Sequence, residues 1–137
     1  VMYFRTRIPR NVTLSYNGLA IAPVQAMING ALFEWVVENL LKNSLDALQG
    51  QGEIDVRISD DLEWVYIDVK DTGKGIPKSN FKRIFEPGFT TKTRGWGLGL
   101  SLSRRIIEEY HKGRIYVVDS EPGRGTTIRI ALKRLYA

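Results

Sequence analysis

Between residues 72 and 97 this chain abandons the hydrophobic rhythm it keeps elsewhere, with Gly73, Gly75, Pro77, Pro87, Gly88, Gly95 and Gly97 interrupting it. The flanking segments are strongly periodic. Before the break, Leu32, Phe33, Val36, Val37, Leu40, Leu41, Leu45 and Leu48 recur at helical spacing and predict a helix over 31–48, with Asn29 as its N-cap and Gly50 as its stop. Ile54, Val56 and Ile58 then alternate, as do Val65, Ile67 and Val69, which predicts a hairpin turning at Asp60-Asp61. A strand is also expected at Val12, Leu14 and Tyr16. After the break, Leu100, Leu102, Ile106, Ile107 and Tyr110 predict a second helix closed by Gly113, followed by strands over 115–118 and 126–132. Two or three helices on one face of a largely antiparallel sheet satisfy this order. The aperiodic stretch then forms a long loop, with a helical turn or two near 78–85, and a loop of that length in a compact domain is usually functional.

Composition narrows the chemistry. The 137 residues are 43% hydrophobic and 26% charged, without an apolar run that could cross a bilayer, and one domain over 1–137 is expected. The absence of cysteine excludes disulfide scaffolds, thiol catalysis and thiolate zinc sites. A single histidine excludes catalysis or metal binding that needs several imidazoles. The net charge of +5 suits an anionic partner, whether nucleic acid, nucleotide or an acidic protein face. Residues 1–10 show no secretory pattern, so the chain reads as an excised domain that works in the cytoplasm.

Four motifs interrupt otherwise ordinary patterning. Asn39 and Asn43 stand at i,i+4 on the long helix, with Asn43 at the edge of its apolar stripe. Such amides commonly satisfy nearby backbone, yet their neutral oxygens also suit Mg²⁺. Asp71-Thr72-Gly73-Lys74-Gly75 falls at a strand end, where a carboxylate can accept from the exocyclic amine of adenine and the glycines admit a flat base; it also reads as a turn. Gly95-Trp96-Gly97-Leu98-Gly99-Leu100 leads into a helix, so its backbone N–H groups can face an anion, with Lys92 and Arg94 adding charge. Neither a dinucleotide fingerprint nor a Walker A loop is present. Gly123-Arg124-Gly125-Thr126-Thr127 is by itself a hairpin. His111 falls at a helix C-terminus, where a cation would complement the dipole, and a capping role is expected.

In order, these motifs, together with Phe85-Glu86-Pro87-Gly88-Phe89-Thr90-Thr91-Lys92, resemble the N, G1, F, G2 and G3 boxes of the ATP-binding domain of sensor histidine kinases. That domain belongs to the superfamily of gyrase, the large heat-shock chaperones and the mismatch-repair ATPases. The resemblance covers about residues 12–133, and Gly97-Leu98-Gly99-Leu100-Ser101 favours the kinase branch. It implies a two-layer α/β sandwich of the Bergerat type, with a mixed, largely antiparallel sheet, about three helices on one face and a long ATP lid over roughly 72–96.

By the same resemblance, Asn43 coordinates Mg²⁺ and Asn39 assists at the metal or phosphates. Asp71 takes the adenine amine, with Gly73, Gly75 and Thr126 around the base. Gly95, Gly97, Leu98, Gly99 and Leu100 line the phosphates, with Lys92 nearby. ATP and Mg²⁺ are the implied cofactors. The implied reaction moves the γ-phosphate to a histidine on a separate dimerisation domain of a homodimeric parent, and from there to a response regulator. Nucleic acid and membrane are not expected as partners of this domain. In the hydrolase branches a Glu stands one turn before the metal-binding Asn; Asn39 occupies that position here, and Glu38 lies about 100° away around the helix. A regulatory pseudokinase, motivated by Asp46 and Trp96, and an anti-sigma-type serine kinase use the same fold, and a basic nucleic-acid binder would follow from charge alone.

Overall fold

The computed structural model describes residues 12–17, 28–89 and 99–135. Its frame is a five-stranded sheet of β1 (Val12–Asn17), β2 (Gly52–Asp60), β3 (Trp64–Asp71), β4 (Arg114–Glu121) and β5 (Gly125–Lys133), in the order β1-β2-β3-β5-β4. β1 runs parallel to β2 and every other pair is antiparallel. The parallel pair requires a crossover, and helix α1 (Gly30–Leu48) lies within it.

The alternation read from sequence decides which face is covered. Ile54 and Val56, Val65, Ile67 and Val69, Ile115 and Val117, and Ile128, Ile130 and Leu132 turn inward. They meet Val36, Leu40, Leu41 and Leu48 of α1, and Ile107 beyond helix α2 (Gly99–Arg105). The outer face is polar and aromatic. Arg129 makes a bidentate pair with Asp68 (2.7 and 2.9 Å) while lying over the Tyr66 ring, and Arg114 and Lys133 both approach the Trp64 ring.

Several boundaries differ from expectation. α1 is capped as predicted, Asn29 Oδ1 accepting from the Leu32 N–H, but the left-handed residue at its end is Gln49 (φ 55°), with Gly50 one position later. The second helix does not continue regularly: a π-turn over Ile106–Tyr110 follows α2. That extra residue per turn leaves Tyr110 exposed (65%), and Leu102, earlier in α2, is exposed (42%) because the inward stripe there runs through Leu100, Ser103 and Ile107; both belong to the expected apolar stripe. The expected turns near 78–85 are 3₁₀ turns, Lys78–Asn80 and Arg83–Phe85, which seat Ile84 and Phe85 in the core. The first part of the expected lid is thereby anchored, and residues 90–98 lie outside the described residues. No described helix is long and apolar enough to cross a membrane.

Candidate functional site

The last inward residue of β3 is a carboxylate rather than an apolar side chain. Asp71 is 5% exposed, and its Oδ1 accepts from the N–H groups of Gly73 (2.9 Å) and Thr126 (3.3 Å), with the Ser44 hydroxyl as a further donor. Burial outweighs these bonds and raises its pKa above the ordinary carboxylate range. A buried acceptor at a strand end, with β5 in register beside it, is suited to a neutral donor such as an amine.

The glycines next to Asp71 are required by the fold itself. A Cβ on Gly73 would meet the Ala47 carbonyl oxygen at 2.6 Å, and one on Gly75 (φ +72°) would strike the Glu121 carbonyl. The Gly123 N–H donates to the Lys74 carbonyl (2.7 Å), tying the β4–β5 turn to the loop after Asp71. Two of the predicted motifs thus form one wall.

Asn39 and Asn43 lie on α1 as predicted. The Asn39 amide donates to Ser103 Oγ (3.1 Å), and Ser103 Oγ donates to the Gly99 carbonyl (2.8 Å). A Cβ on Gly99 would fall 2.6 Å from Asn39 Oδ1, so the first residue of α2 packs directly on the α1 amide, with Leu100 half-buried behind it. Asn43 Nδ2 is buried. α1 therefore touches the Asp71 cluster through Ser44 and the start of α2 through Asn39, two points about 7.5 Å apart along its axis. Lys92, Gly95, Gly97 and Leu98 lie outside the described residues, as do Arg94 and Trp96.

His111 caps without the expected charge. Its Nδ1–H donates to the Ile106 carbonyl (3.0 Å) and its Nε2 accepts from the Asn29 N–H (3.0 Å), an arrangement that uses the neutral ring to join the end of the second helix to the start of α1. Phe33 meets the imidazole edge-on.

Three serines escape a reading based on motifs. Ser44 and Ser103 occupy apolar-stripe positions, between Leu40 or Leu41 and Leu48 and between Leu100 and Ile107. A small hydroxyl inside a hydrophobic stripe was the available signal. Ser120 had none, because its direction depends on an irregularity in β4 that no local pattern announces.

Residues 29–135 match the family described as histidine kinase-, DNA gyrase B- and HSP90-like ATPases, and the chain belongs to that family, with its ATP-binding α/β fold. It is 43% identical over 96 residues to sporulation kinase A of Bacillus subtilis (strain 168), covering 70% of this chain, and 38% identical over 136 residues to sensor kinase CckA of Brucella abortus (strain 2308), covering 87%. The chain spans 16% and 14% of those two proteins. Among solved structures it is similar to the catalytic domain of histidine kinase ThkA, with TM-score 0.84 and 28% identity, covering 97% of this chain and 88% of that one. A second ThkA structure, in complex with response regulator protein TrrA, has TM-score 0.82 and 26% identity, covering 98% of this chain and 38% of that one.

Proposed function

We propose that this chain is the catalytic ATP-binding domain of a two-component sensor histidine kinase, donating the γ-phosphate of Mg-ATP to a histidine on a dimerisation domain of the same cytoplasmic or membrane-anchored parent. A response regulator is the next acceptor. The observation that carries this reading is the buried Asp71 carboxylate, oriented by Gly73, Thr126 and Ser44 at the mouth of a wall built from two glycine motifs. Asp71 accepts the adenine amine there, and α1 extends from that cluster to the start of α2, where backbone N–H groups suit phosphates.

The amides also fit a hard cation already ligated by phosphate oxygens: Asn39 and Asn43 present neutral oxygens, and no group of three metal-ligating side chains occurs among the described residues. When bound, Mg²⁺ would offset charge on the β- and γ-phosphates. Asn43 would hold the ion while Asn39, anchored on Ser103, keeps α2 aligned with it. Because Asn39 is an amide and not a carboxylate, it cannot deprotonate water, which favours transfer to an imported nucleophile over hydrolysis.

Isothermal titration with Mg-ADP, Mg-GDP and a short DNA duplex tests the binding half: saturable, adenine-selective heat is expected and DNA heat without nucleotide heat defeats the reading. Mixing the chain with a histidine-bearing helical hairpin and labelled ATP tests the other half, with acid-labile label on the hairpin as the expected product.

A further inference from the structure

Ser120 is aimed at the candidate site by a defect in its strand. β4 sends Ile115 and Val117 inward, and regular alternation would turn Ser120 outward. A β-bulge intervenes: Val117 pairs with Ile128, but Asp119 pairs with Thr127 and Ser120 with Thr126, leaving Val118 as the extra residue. Ser120 thus comes to lie beside Thr126 on the face that carries Asp71 of β3, whose register partner in β5 is also Thr126.

The Ser120 hydroxyl is then saturated. It accepts from the Ile76 N–H (2.8 Å), donates to the Gly125 carbonyl (2.9 Å) and lies 2.8 Å from Thr126 Oγ1. A serine hydroxyl has one proton and two lone pairs. With the proton on Gly125 and one lone pair on Ile76, only a lone pair remains for Thr126, which must be the donor in that contact. Thr126 Oγ1 therefore offers lone pairs alone to anything that enters beside Asp71.

We propose that Ser120 is a positioning residue for nucleobase selectivity: by holding the Thr126 proton it makes the base pocket a pair of acceptors, matched to the 6-amino group of adenine and repelling the 6-carbonyl of hypoxanthine or guanine. This rests on the reading of Asp71 as the base contact. Removing Ser120 frees the Thr126 proton to turn toward a carbonyl.

The test is titration of the wild-type chain, Ser120→Ala and Ser120→Thr with Mg-ADP and with Mg-IDP, whose base carries the 6-carbonyl. Ser120→Ala should lower the ADP-to-IDP affinity ratio about five- to tenfold, the worth of one net hydrogen bond, while Ser120→Thr keeps the wild-type ratio. If Ser120→Ala does not fold, Ser120→Cys, similar in size and weak as donor and acceptor, takes its place with the same expectation. Equal weakening of both nucleotides, or an unchanged ratio, overturns the proposal, since either is what simple loosening of the loop would produce. A wild-type chain indifferent to ADP against IDP, with Asp71→Asn equally without effect, would overturn the base-pocket assignment itself and this proposal with it.

Discussion

Under the proposed function, Asp71 joins stability and recognition in a single side chain. Asn at this position can still accept from Gly73 and Thr126 through its one oxygen, and its amide can donate to Ser44, so Asp71→Asn should leave the unfolding midpoint in urea nearly unchanged. It should nevertheless weaken Mg-ADP binding by on the order of 1.5–3 kcal/mol, because the acceptor left for an amine is lost. The raised pKa has a definite sign. The folded state holds the Asp71 proton more tightly than the unfolded chain, so this group's contribution to stability is largest in acid and falls as pH rises from 3.8 through the raised value. Adenine affinity should run the other way, declining as pH drops and Asp71 loses its charge, at a pH above that expected for an ordinary carboxylate. Calorimetric titrations over an acidic pH series read this directly, and a flat profile would count against Asp71 as the base contact. Gly125 sets a steric limit close by: with φ +112° and the Asp71 carbonyl where a Cβ would go, Gly125→Ala should cost on the order of 2–4 kcal/mol in urea unfolding.

At the scale of elements, the decisive contacts join helices end to side. Ser103 is fully buried and couples Asn39 of α1 to the Gly99 carbonyl of α2. Ser103→Ala removes a hydroxyl whose partners remain, with an expected loss of roughly 1–3 kcal/mol of stability and weaker binding of the nucleotide phosphates. Comparing ADP with adenosine separates the two effects: adenosine affinity should be nearly retained. The neutral His111 ring makes the second link, between the π-turn and the N-terminus of α1. Replacing it with alanine strands the Ile106 carbonyl and the Asn29 N–H together, and faster hydrogen exchange at the start of α1 is the expected signature.

For the whole molecule, the sheet separates two environments: an apolar inner face with Asp71 and Thr126 at one end, and an outer face of cation–aromatic and ion-pair contacts. A nucleotide that binds only the folded chain should raise its apparent stability by about 2.7 kcal/mol at a hundred times the dissociation constant. A melting curve that climbs with Mg-ADP and ignores Mg-GDP would report this without any partner domain.

The sequence by itself determined what depends on local period and residue chemistry. Apolar residues at helical spacing placed α1, strict alternation placed β2 and β3, and Asn29 marked a helix start, because each signal acts within a few residues. The ordered glycine motifs, Asp71 and the paired asparagines were visible as a candidate site, since few chemistries need those residue types in that order, and the loop after Asp71 does meet the turn at Gly123. What only the tertiary structure decided lies in contacts across long separations. Gly73 is glycine because Ala47 stands against it, Gly99 because Asn39 does, and His111 is neutral because Asn29 reaches it from 82 positions away. The π-turn and the bulge at Val118 each shift a face by one residue, exposing Tyr110 and turning Ser120 inward. Periodicity cannot foresee such a shift, because the local pattern is the same on both sides of it and the choice is made by packing against other strands and helices.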